Sequence, residues 1–239
     1  MGVFANSYGY WQDDCAHAGV PWGDGLAVVG WTKNYGLGSV AAFVLRLFGY
    51  GSVRWAMVLG MGSWDRARAA LVSDDGGLVC FGETYYSGKE RGLAFKLLPD
   101  GSLEWARSYT TQGDARFYAA VKCPGGFYAL GEFEADDEDY PDFLVAKISE
   151  DGSLLWSRIF GGRGLDRFTA GVLADDGGLL AVGETDWEIV VAKFSPDGSL
   201  EWLKAYAPGT LPAAARGPDG FLVTGIMDSN ILVMKLDWD

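Results

Sequence analysis

A single histidine, His17, stands in a chain of 239 residues, and the three cysteines, Cys15, Cys80 and Cys123, share no Cys-x-x-Cys spacing. One imidazole excludes multi-histidine metal centres, and any Ser-His-Asp triad has to use His17. His17 falls in a strand-like run, where a satisfied inner-strand role is expected of it. Three scattered thiols read as buried side chains that pack like small apolar residues. Basic residues are scarce too, 19 against 32 acidic ones, for a net charge of −13. Phosphate backbones demand clustered Lys and Arg, so no nucleic-acid partner is expected, and an anionic membrane is disfavoured. No apolar run suits a bilayer: the most apolar stretch, Val40 to Met61, carries Arg46, Arg54 and several glycines. No secretory signal is visible. A cytoplasmic protein is expected, or an extracellular one if a signal has been removed.

Glycine and tryptophan are abundant, at 35 and ten residues, and both recur in register. The stretch Asp175 to Tyr206 shows the unit. Two turn signals, Asp176-Gly177-Gly178 and Pro196-Asp197-Gly198-Ser199, bracket the apolar runs Leu179–Val182 and Ile189–Phe194. Gly and Asp accept the positive φ of tight hairpins, so the runs between them read as short antiparallel strands. An aromatic recurs at Phe4, Trp55, Trp105, Trp156 and Trp202, followed four residues on by Tyr8, Leu59, Tyr109, Phe160 and Tyr206. A glycine recurs at Gly30, Gly82, Gly131, Gly183 and Gly225, and a basic residue at Arg46, Lys96, Lys147, Lys193 and Lys235. The basic residue is expected to pair with acids at blade edges or to snorkel.

Each unit holds four strand candidates, here A to D: a small-residue run, the run ending at the glycine, the run ending near the basic residue, and the aromatic strand. Four antiparallel strands in about 45 residues is one propeller blade. The chain ends after strand C of its fifth unit, and Val3–Gly9 reads as a strand D without its A, B and C. The expectation is an all-β, five-bladed β-propeller of four-stranded antiparallel blades, its ring closed by the N-terminal strand completing the last blade. It is a single domain, with blades near 13–60, 64–110, 114–161, 166–207, and 211–237 plus 2–9. Joining the termini in one sheet leaves no naked edge.

The motifs Asp176-Gly177-Gly178, Gly183-Glu184-Thr185 and Asp197-Gly198-Ser199-Leu200-Glu201-Trp202 resemble bacterial and archaeal β-propeller repeats of the DGG…GET…DGxxxW kind. The resemblance spans the chain and implies a fold, not an activity. Unit five departs from it with Leu211-Pro212 at the start of strand A and Ile226 in place of the Glu. Trp31 replaces that Glu in unit one.

Alternating strands bring the D–A and B–C loops to one face and the short A–B and C–D turns to the other. Asp14, Asp65, Asp114 and Asp166 precede strand A and are expected to ring one mouth of a channel. Arg66, Arg116 and Arg167 beside them are expected to neutralise that ring with no metal. Glu83, Glu132 and Glu184 end strand B, but a carboxylate repeated per blade reads as structure, since a glycosidase needs one asymmetric pair. The glycine clusters at 60–62 and 161–164 precede no helix, so they fail as phosphate loops.

The B–C loops read as long in the first three units (Thr32–Ser39, Tyr85–Arg91, Glu134–Asp142) and short in the last two. The irregular face is expected to carry Trp11, Trp31, Tyr35, Trp64, Tyr85, Tyr86, Tyr140 and Trp187. Aromatics among Asp and Asn suit sugar rings, which stack through their C–H faces and need acceptors for their hydroxyls. The functional expectation is a lectin-like, non-enzymatic binding module for a carbohydrate or other small polar ligand, monomeric and without cofactor. The alternatives are a protein-interaction scaffold, which could use the acidic loop Asp136–Asp142, and a glycoside hydrolase.

Overall fold

Strands make up the regular structure of the computed structural model, which describes residues 5–9, 12–34, 39–109, 112–136 and 139–237. Among these are nineteen strands and no helix. They fall into two units, Met1–Thr111 and Gln112–Asp239. In the first unit β1 (Asp14–Trp22), β2 (Gly25–Thr32), β3 (Ala41–Phe48) and β4 (Val53–Leu59) form one antiparallel sheet. A second holds β5 (Trp64–Val72), β6 (Leu78–Tyr86), β7 (Lys89–Leu97) and β8 (Leu103–Tyr109). The second unit has a sheet of β9 (Gly113–Cys123), β10 (Gly126–Ala135), β11 (Asp142–Ser149) and β12 (Leu154–Phe160). Next comes one of β13 (Asp166–Leu173), β14 (Leu179–Thr185), β15 (Glu188–Phe194) and β16 (Leu200–Pro208). Its last sheet has three strands, β17 (Thr210–Gly217), β18 (Gly220–Met227) and β19 (Asn230–Leu236). The stretch Val40 to Met61 is the β3–β4 hairpin with its flanks.

The repeated residues have physical reasons. In strand A a bulge, between Ala67 and Ala69 in β5 and between Phe168 and Ala170 in β13, breaks the pairing with strand B. Opposite it, a Cβ at Gly82 or Gly183 would collide with the carbonyl of Arg66 or Arg167, so only glycine fits. The basic residue of strand C crosses to the A–B turn. Buried Lys96 donates to Asp75 at 2.5 Å and buried Lys193 to Asp176 at 2.5 Å, while each Asp also accepts a turn amide. Arg46 meets Asp24 likewise at 3.0 Å. The third sheet turns through Pro124-Gly125 with no Asp, and its Lys147 donates to the Pro196 carbonyl of the next sheet.

The aromatic of strand D lies on the C–D turn of the following sheet. A Cβ at Gly101 would stand 2.7 Å from the Trp55 ring, and one at Gly198 would stand 2.8 Å from Trp156. Between the sheets lie apolar layers. Val29, Val44, Leu78, Phe95 and their neighbours fill one in the first unit. In the second unit Tyr128, Val145, Phe168 and Phe194 fill a layer between its first two sheets, and Val182, Val191, Phe221 and Val223 fill one between its last two. Each inner layer removes whole Val, Leu and Phe side chains from water, at about 1.5–3 kcal/mol apiece.

The N-terminal segment differs from expectation in one respect. Residues 5–9 carry no strand, and the fifth sheet has three strands among the described residues. Phe4 lies outside the described residues. Asn6 nonetheless donates to the Gly51 carbonyl at 3.2 Å, and the Tyr8 hydroxyl donates to the same oxygen. On the last sheet the outward side chains Leu222, Ile226, Ile231 and Val233 are exposed, Ile231 at 86%.

Candidate functional site

In the second unit the D–A and B–C loops come to one rim, as the alternation of strands requires. Tyr140 comes from the β10–β11 loop, Arg163 and Leu165 from the β12–β13 loop, Asp186 and Trp187 from the β14–β15 turn, and Thr210 begins β17. With Arg167 and Glu184 they line a cavity of about 520 Å³. A second hollow of about 420 Å³ is lined by Asp139, Tyr140, Gly162 and Arg163. Tyr140 and Arg163 line both.

The base of this site is fixed. Arg167 donates through Nε to Glu184 Oε1 at 2.7 Å, and Glu184 is almost fully buried. Asp166, also buried, accepts from the Gly162 amide at 2.9 Å and donates its own amide to the Pro141 carbonyl at 2.9 Å. Those two bonds tie the loops that carry Arg163 and Tyr140 to the start of β13. The Asp186 carboxylate packs onto Gly164, where any Cβ would collide with it. The rim is open by contrast: Tyr140 is 54% exposed and Trp187 is 77% exposed.

Trp187 occupies an unusual backbone position. The β14–β15 connection is two residues long, with φ of +40° at Asp186 and +73° at Trp187. A two-residue hairpin of type I′ needs positive φ at both central positions, which favours Asn-Gly or Asp-Gly. The β6–β7 turn follows that preference, with glycine (Gly88) second, after Ser87. A bulky L-residue is strained in that conformation, and such strain clusters at functional positions. The Gly209 amide holds the Trp187 carbonyl at 2.6 Å, so the ring stands out from a pinned backbone.

In the first unit the expected aromatics are engaged with each other and with cations. Trp64 stacks on Tyr85 with ring centres 5.4 Å apart, and the Arg66 guanidinium lies 4.6 Å from the Trp64 ring centre. The Trp31 ring centre lies 5.8 Å from the Arg66 guanidinium and 5.6 Å from Lys33 Nζ. Arg91 covers the exposed Tyr86 at 5.1 Å. Trp11 and Tyr35 lie outside the described residues. The stretch Tyr85–Arg91 is not a long loop: β6 and β7 extend to Tyr86 and Lys89 and leave only Ser87-Gly88 between them. Paired cross-strand side chains hold that tall hairpin together.

The acidic and basic residues of strand A pair otherwise than their adjacency suggests. Arg66 and Arg68 bind Glu83, Arg68 through two bonds of 2.7 and 2.8 Å. Arg116 binds Glu132 and Arg167 binds Glu184. Arg66, Arg116 and Arg167 lie directly across from those glutamates in the A–B register. Consecutive residues of a strand point to opposite faces, so Asp65 and Arg66 cannot share a partner side. Two of the aspartates serve D–A loops, and Asp14 serves a B–C loop. Asp65 accepts the amides of Met61 and Gly62 at 3.0 and 3.2 Å, Asp166 that of Gly162, and Asp14 accepts from Asn34 at 2.9 Å. Asp114 sits opposite Glu134 in β10. His17 is exposed on β1.

Of the residues expected on the binding face, the second-unit rim brings Tyr140 and Trp187 to one cavity. It adds Arg163, Leu165 and Thr210, which the sequence reading did not select. The signal for Arg163 was present in Gly161-Gly162-Arg163-Gly164, a loop weighed above only as a phosphate cradle.

No family model matches the chain, and no curated protein matches it. Solved structures do. The WD40 domain of Pan2 from Neurospora crassa superposes with a TM-score of 0.56 at 9% identity, over 93% of this chain and 65% of that one. Sqt1 from Chaetomium thermophilum gives 0.55 at 15% identity, over 93% and 58%. A candidate 6-phosphogluconolactonase from Bacteroides fragilis gives 0.50 at 16%, over 87% and 66%. The chain thus spans less than two thirds of the length of each. At these identities the likeness is one of fold: the five antiparallel sheets are of the β-propeller, WD40-like kind, consistent with five blades.

Proposed function

We propose that the protein is a binding module that takes a carbohydrate or other small polar ligand at the second-unit rim, between Tyr140 and Trp187. The observation that carries this reading is Trp187, a strained turn residue with its ring in solvent. A turn needed only to reverse the chain has no use for tryptophan there. Aromatic faces stack on sugar C–H faces, and Asp186, Arg163 and Thr210 offer acceptors and donors to hydroxyls. Catalysis by glycoside hydrolysis has less support. Glu83, Glu132 and Glu184 each carry an Arg partner, so they repeat one environment where hydrolysis needs two divergent ones. The test is titration of soluble sugars against Trp187→Ala and Tyr140→Ala proteins. Each substitution is expected to cost about 1–3 kcal/mol of affinity with the melting temperature held. Equal affinity in wild type and variants would refute the reading. A stable protein partner recovered through the same two rings, with no sugar bound, would favour a scaffold.

We also infer that the N-terminal segment completes the fifth sheet and closes a single five-bladed ring. Three features support this. The last sheet has three strands among the described residues, its outward face is apolar and exposed, and Asn6 grips Gly51 as Arg158 grips Gly198 at 3.0 Å. Arg158 lies two residues beyond Trp156, as Asn6 lies two beyond Phe4. Removing residues 1–9 is expected to cost more than the ~0.5–3 kcal/mol of an ordinary substitution. An unchanged melting temperature would show that the segment takes no part.

A further inference from the structure

The proposed site is wider than one ring. Two hollows adjoin, of about 520 and 420 Å³, and Tyr140 and Arg163 line both, forming the ridge between them. Each hollow has its own carboxylate, Asp186 in the larger and Asp139 in the smaller. The larger adds Trp187. So the elements of sugar recognition, an acceptor beside an aromatic surface, occur twice, with one guanidinium between them.

From this geometry, and resting on the carbohydrate reading above, we infer that the ligand is an uncharged oligosaccharide of at least two units that crosses the Tyr140–Arg163 ridge. One unit sits in each hollow, and Arg163 donates to oxygens near the linkage that joins them. A single ring fills one hollow and leaves the other to water. A linked pair gains the second set of contacts without a second loss of translational freedom, so its affinity exceeds that of either unit. Charge sets the other half of the class. The guanidinium of Arg167 is neutralised by Glu184 in the floor, which leaves Asp139 and Asp186 against Arg163 on a chain of net charge −13. A carboxylated sugar meets that surplus negative charge, whereas neutral hydroxyls donate to both carboxylates.

The experiment is an array of mono-, di- and trisaccharides of the common neutral hexoses, with galacturonate oligomers alongside. Each bound member and its monosaccharide are then titrated by intrinsic fluorescence. A neutral disaccharide is expected to bind at least about tenfold tighter than its own monosaccharide, and tighter than a uronate of the same length. Tyr140→Ala is expected to shrink that length advantage to about twofold, while Trp187→Ala lowers the affinity of monomer and dimer alike. Equal affinity for monomer and dimer overturns the two-hollow assignment and leaves the binding reading standing. Preference for the uronate oligomers overturns the assignment to uncharged ligands. Binding of no sugar in the array overturns both this inference and the reading it rests on.

Discussion

The loop rims of the two units both hold aromatic side chains, yet they use them differently. In the first unit Trp31, Trp64 and Tyr85 gather with Arg66 and Lys33, and each ring is met by another ring or a cation. In the second unit Tyr140 and Trp187 stand open above a cavity, and the only cation beside them on the rim among the described residues is Arg163. An aromatic residue in a loop therefore does not mark a site by itself. What marks one is a ring standing in solvent, at a position where its presence is unfavourable to the fold.

The comparison can be broken first at its ion pairs. Glu83 is fully buried and holds two guanidinium groups, and Glu184, also buried, holds that of Arg167. Removing one partner of a buried pair leaves charge without compensation, which costs about 3–5 kcal/mol. Glu83→Gln and Glu184→Gln are each expected to reach that range in chemical denaturation. A loss well below that range in either variant would mean that the strand A guanidinium groups of that unit are not held by charge.

A smaller effect is expected from the first-unit rings themselves. Trp64→Ala removes a half-buried ring stacked between Tyr85 and Arg66 and should cost about 2 kcal/mol. Sugar affinity should stay the same. If Trp64→Ala lowers affinity and spares stability, the first-unit aromatics belong to the binding face after all.

Smaller again is the acid response of two A–B turns, one taken from each unit. The Lys96 hydrogen bond, followed by that of Ser73, holds the Asp75 carboxyl below its ordinary value, and Lys193 does the same for Asp176. A depressed folded pKa means stability that is present above the unfolded value near 4 and is lost as pH falls through the folded one. Both carboxylates are about half exposed, so solvent screening keeps each contribution under about 1 kcal/mol. Asp75→Asn and Asp176→Asn should therefore be less stable than wild type at pH 6, with the gap closing below pH 4. A gap that persists at low pH would assign the loss to turn geometry rather than charge.

Much of this was legible in the sequence, for reasons of geometry. Turn glycines and period-two apolar runs set the strands, and alternation of direction put the D–A and B–C loops of the second unit on one rim. What adjacency could not reveal was pairing across strands. Arg66 lies next to Asp65 in the chain but opposite Glu83 in the sheet, and the sheet decides. Nor could composition separate Trp64 from Trp187, since both are loop-face tryptophans. Their difference lies in neighbours brought from other strands, Tyr85 and Arg66 for one and open solvent for the other.

The central claim, that Trp187 is kept for a ligand at a cost to the fold, is tested most directly by Trp187→Gly. Glycine takes a φ of +73° without strain and completes the Asp-Gly turn that such hairpins favour. The account predicts a protein about 0.5–1 kcal/mol more stable than wild type, with sugar affinity reduced about ten- to a hundred-fold. A loss of stability, or a gain with affinity unchanged, would contradict it.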